Sequence, residues 1–143
     1  MTKDTAADDL FTREFLTLLA TGTSLMLGSG ALLAILPVYV VEELDGTELT
    51  AGLVMGCAAV PALLSRAWLG RMSDRRGARR LVAIGGAATA LGMALLIAVP
   101  SVIGAMLARL VMGAGGAAFF IGSTVRAMEL APEGRRSQAA AFN

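Results

Sequence analysis

Arg109 is the residue whose position most demands a chemical reason. It lies about eight residues inside an apolar run that starts after Pro100-Ser101 and continues to about Val125. If that run crosses a bilayer, Arg109 sits roughly 12 Å below the surface of a hydrocarbon core about 30 Å thick. A guanidinium at such depth costs roughly 2.5–3.5 kcal/mol on insertion scales, and less if it snorkels outward. No Asp or Glu lies at comparable depth in any apolar run. Its partner must therefore be a backbone carbonyl, water in a cavity, an anionic substrate group or an acid outside this chain. The second constellation is Gly70-Arg71-Met72-Ser73-Asp74-Arg75-Arg76-Gly77-Ala78-Arg79-Arg80, the one dense charge cluster. Asp74 is the single acid among five arginines there, able to accept several charge-assisted hydrogen bonds. Gly70 would allow close approach where one helix ends, and Gly77 would permit the reversal into the next.

The elements that must hold these residues are apolar spans. Of the 143 residues, 56% are hydrophobic and 16% charged, against about 25% charged in globular domains. The mean hydropathy is +0.71. The pattern predicts an all-α membrane protein with four transmembrane helices and the start of a fifth. Residues 1–12 read as a polar arm and residues 13–143 as a partial bundle. The first span covers about Phe15 to Val41, with Thr17, Thr21, Thr23, Ser24 and three glycines giving it one face that avoids lipid. The acidic loop Glu42–Glu48 follows, then a second span over about 50–69 with Gly52 and Gly56 in close-packing spacing. Pro61 predicts a kink inside it. The third span, about 81–99, joins the fourth, about 102–125, through Pro100-Ser101, so the two form an antiparallel pair. Arg126, Glu129, Glu133, Arg135 and Arg136 read as a second charged loop, and Ser137–Asn143 as the start of the fifth helix.

Charge placement sets the orientation. Both basic connections fall on one side, and the two other connections carry no Lys or Arg. The N-terminus, the arginine cluster and the C-terminus are therefore expected in the cytoplasm, in a plasma (inner) membrane. Arg79 and Arg80 open the third span at the positive end of its dipole, which costs about 0.3–1 kcal/mol each. Attraction to an anionic leaflet, about 1 kcal/mol per residue, offsets that. The acidic start of the chain lacks the marks of a cleaved leader, so a retained first span is expected. With no His and a single Cys, Cys57, neither a Cys/His metal site nor an internal disulfide is available. Gly113-Ala114-Gly115-Gly116 lacks the Lys-Ser/Thr of a phosphate loop and reads as helix packing.

The segment Gly70-x-Met72-Ser73-Asp74-Arg75-x-Gly77-x-Arg79 resembles the signature loop between the second and third helices of major facilitator superfamily transporters. Met72 stands where Leu is usual, and Ala78 where a basic residue is common. Arg109-Leu-Val-Met-Gly113 resembles, in part, the fourth-helix element of the proton-antiporter branches, with Met112 in place of a polar residue. The resemblance implies four spans of a six-helix bundle and an N-terminal portion of a twelve-span transporter. It implies a gating motif of Gly70, Asp74, Arg75, Gly77, Arg79 and Arg80, with Glu129 accepting Arg75, and a coupling or substrate role for Arg109. It also implies a small-molecule substrate, protons as coupling ion, efflux by alternating access, and the rest of the transporter as partner. No cofactor, metal or nucleic acid is expected. The rival expectation is a small four-span oligomer, an exporter or a scaffold. Exporters of that kind depend on a glutamate within the first span, and Glu14 lies only at its edge. A soluble enzyme is disfavoured, because no titratable pair converges outside the charged loops.

Overall fold

The computed structural model describes residues 13–130, leaving aside the side chains of Ala67, Asp74, Arg75 and Arg76. The expected N-terminal arm, Arg135 and Arg136, and the expected fifth-helix start lie outside the described residues. Five helices are described: α1 (Arg13–Glu42), α2 (Glu48–Cys57), α3 (Ala59–Arg76), α4 (Ala78–Ala98) and α5 (Val102–Leu130). Four stretches are long and apolar enough to cross a membrane: α1, the α2–α3 stretch from Glu48 to Arg66, α4 and α5. The chain is an all-α membrane protein.

The second span is interrupted at Ala58. Pro61 lacks an N–H, and its ring crowds the carbonyl four residues back, that of Cys57. The expected kink is thus a break between two helices. A second correction concerns the arginine cluster, which is mostly helix rather than loop. Gly70 does not stop the helix: Leu69 and Met72, on either side of it, pack against Ala118 and Ile121 of α5, and no proline follows before Gly77, so α3 continues to Arg76. Gly77 alone makes the turn, at φ 83°, where a side chain would be strained, and donates its N–H to the Ser73 carbonyl (2.9 Å). Gly70 therefore does not end a helix, and a Cβ there would meet nothing within 4 Å. The same open space surrounds Gly52 and Gly56. The face of α2 that is buried carries Ala51 and Val54 instead.

Close approach is concentrated between α4 and α5. A Cβ on Gly85 would collide with the Phe119 backbone, and one on Gly115 would stand 2.8 Å from the Thr89 nitrogen. Running up α4, the neighbours on α5 run down, so the pair is antiparallel as expected. Ser101 caps α5 by accepting the Gly104 N–H (3.0 Å), and Thr47 caps α2 by accepting that of Thr50 (3.2 Å).

α5 is the axis of the bundle. It contributes Ala105 and Ala108 to a cluster with Leu36, Val40, Val54 and Leu96, Ala118 to one with Leu69 and Leu81, and Ala127 to one with Phe15 and Leu18. Alanines at these points keep its surface thin enough for all four other helices to close on it. α5 also runs past the expected end of the fourth span. Arg126 and Glu129 lie on its last turns, not in a loop, because no proline intervenes before Pro132.

Candidate functional site

Among the described residues, α5 carries charge into the bundle at two places, about 25 Å apart along its axis. The first is Arg109. The small residues around it let α2 and α4 approach so closely that its side chain is only 9% exposed. Its Nη2 donates to the Met55 carbonyl at 3.1 Å, in the last turn of α2. Its Nε is buried with no hydrogen-bond partner among the described residues. A planar guanidinium has five N–H donors, so this one retains capacity for an acceptor. One of the partners open to it from sequence, a backbone carbonyl, is thus realised.

That contact belongs to a stripe on α5 that grips the break in the second span. Cys57 Sγ lies 3.6 Å from the Met106 carbonyl, while its nearer partner is the Val54 carbonyl at 3.1 Å. One turn beyond Arg109, Gly113 leaves room for the Ala58 carbonyl, which a Cβ would strike. Residues 106, 109 and 113 share a helix face. Proline-induced interruption and arginine are therefore one assembly, which the sequence presented as two separate oddities. The signal was Pro61, whose position fixes where backbone carbonyls lose their helical partners.

The second polar place is the basic end, where α1 begins, α3 meets α4 and α5 ends. Gly77 forms the α3–α4 turn, and Arg79 and Arg80 project from the first turn of α4, both exposed. Ser73 is 5% exposed and its hydroxyl has no hydrogen-bond partner among the described residues. The side chains of Asp74 and Arg75 lie outside the described residues, so the expected Arg75–Glu129 bridge does too. Glu129 accepts Arg126 Nη1 at 3.1 Å, and Arg126 Nη2 donates to Glu14 at 2.8 Å. This bridge ties the start of α1 to the end of α5. Its half within α5 was readable as a pair three residues apart. Its Glu14 half was not, because only packing brings the two ends together.

No curated protein and no solved structure matched the chain. A family model described as Major Facilitator Superfamily matches residues 18–143, which takes in nearly all of α1 and the whole of α2 to α5. Four apolar spans, a basic turn between the second and third, and a match over most of its length together place this chain in the Major Facilitator Superfamily.

Proposed function

We propose that the chain is the N-terminal part of a secondary transporter that exports a small molecule against a proton gradient by alternating access. The basic end faces the cytoplasm of a plasma (inner) membrane, as the arginine asymmetry favours. α1 and α5, which carry the hydroxyl residues and Arg109, line the path. The remaining spans of the transporter supply its other wall.

The observation that carries this reading is Arg109: a buried cation in a membrane span, held by one carbonyl and with a donor unspent. Ionisable groups at such depth are costly and mark substrate or proton routes by default. As a coupling residue, Arg109 exchanges the Met55 carbonyl for a substrate anion or a carboxylate from the other wall when the site turns. Gly70, Asp74, Arg75, Gly77, Arg79, Arg80 and Glu129 form the gate at the cytoplasmic end, Asp74 docking on a helix N-terminus of the second bundle.

The test is substrate-induced proton flux in everted vesicles carrying the full-length protein. Arg109→Lys and Arg109→Ala are expected to lower it on the order of tenfold or more, one charged hydrogen bond's worth. Full flux in both variants removes the coupling role. Asp74→Asn is expected to insert normally and transport more slowly. Normal transport by Asp74→Asn removes the gating role.

A further inference from the structure

The basic end holds a cavity of about 330 Å3 between the start of α1, the first turns of α4 and the end of α5. Arg13, Arg79 and Arg126 line it, with one acid, Glu14, so positive charge is in excess. Its floor is apolar, built from Leu18, Val82 and Leu130. Thr17 and Thr21 also line it, but each hydroxyl proton is spent on a carbonyl of its own helix (2.6 and 2.8 Å). Donation into the cavity therefore falls to guanidinium groups. Arg126 is fixed by its two carboxylates, while Arg13 and Arg79 have no ion-pair partner among the described residues.

We propose that this cavity binds the phosphate of an anionic glycerophospholipid. Three observations combine. Arginines from three helices line one space, and two of them, Arg13 and Arg79, have no ion-pair partner among the described residues, leaving their guanidinium groups for a phosphate. The space opens at the end of membrane spans, where headgroup phosphates reside, and its apolar floor receives the first carbons of an acyl chain. The N-cap of α4, beside which Arg79 stands, is Gly77, which has no side chain to cap the helix, and the dipole adds positive potential there. A bound phosphate also offsets the repulsion that Arg79 meets from that dipole. The inference needs only that the basic end sits at headgroup level, not that the chain exports anything.

The test uses the purified chain in detergent micelles, with phosphatidylglycerol adducts counted by native mass spectrometry and phosphatidylcholine as the uncharged comparison. Arg79→Gln and Arg13→Gln are each expected to weaken phosphatidylglycerol binding about fivefold. Arg80→Gln removes the same charge one residue away, outside the cavity, and is expected to change binding less than about twofold, given the steep local geometry of a bidentate site. Glu14→Gln is expected to tighten binding, an outcome that misfolding does not imitate. Equal losses in Arg79→Gln and Arg80→Gln overturn the site in favour of diffuse attraction. Displacement of the lipid by millimolar inorganic phosphate overturns the lipid as ligand, and equal retention of phosphatidylcholine overturns the charge selectivity.

Discussion

The α4–α5 pair and the α1–second-span pair are built from similar compositions and pack in opposite ways. Of the most apolar stretch of α5, 44% is buried within the chain, against 11% in both α1 and the second span. Between α4 and α5 the glycines face each other, and backbone lies on backbone. On α1 and α2 many glycines and large apolar side chains face outward; Leu27 is 70% exposed. In a bilayer, lipid tails are as apolar as leucine, so burial alone drives little helix association. Close van der Waals contact does that work, and only the α4–α5 seam has it along its length. The seam is the rigid element; α1 and the second span are held at a few polar or small-residue points and are free to take further partners.

The largest expected effect comes from breaking the seam. Gly85→Val drives methyl groups into the Phe119 backbone and is expected to destabilise the hairpin by about 1–3 kcal/mol or more, read by unfolding in mixed detergent micelles. Gly30→Ala, on α1 where nothing lies within 4 Å, is expected to be neutral or to stabilise by about 0.5–1 kcal/mol. Equal losses at the two positions erase the contrast. Next is Gly113→Ala, which pushes on the Ala58 carbonyl and is expected to cost about 1 kcal/mol, the low end for overpacking, since the interrupted span has room to move.

Arg109→Met should separate stability from function. The variant loses a charged hydrogen bond of about 1.5–3 kcal/mol and is relieved of an insertion cost of about 2.5–3.5 kcal/mol. The expected result is an unchanged or slightly raised melting temperature together with lost proton flux. A strong destabilisation assigns Arg109 to holding the break instead. The smallest expected effect is Glu14→Gln, because an exposed ion pair contributes only about 0.2–1 kcal/mol and fades in high salt.

The sequence disclosed the spans because bilayer thickness makes each one long and uniform. It disclosed the α3–α4 reversal because Gly77 alone tolerates that backbone. It did not disclose which glycines pack: Gly52 and Gly56 have the spacing of a contact face, yet Gly85 and Gly115 make the contact. Spacing gives a face, and only the neighbouring helix decides whether that face is used. Helix ends are the least legible where charge clusters, because charge marks the membrane surface and not the end of a helix. Arg71, Arg126 and Glu129 are helical, since a helix that leaves the membrane keeps its backbone hydrogen bonds through charged residues, and in α3 even through Gly70. The site was half visible. Arg109 stood out by its cost, but its partner is a main-chain carbonyl, which carries no residue type to recognise.

In the proposed topology, opposite ends of the bundle lie on opposite sides of a membrane, with the arginines inside. In a Cys57→Ala background, single replacements Arg80→Cys and Glu43→Cys, both at exposed positions, can be challenged with a membrane-impermeant maleimide on intact cells. Glu43→Cys is expected to label at once, and Arg80→Cys only after permeabilisation. Labelling of Arg80→Cys in intact cells, or of both alike, contradicts it.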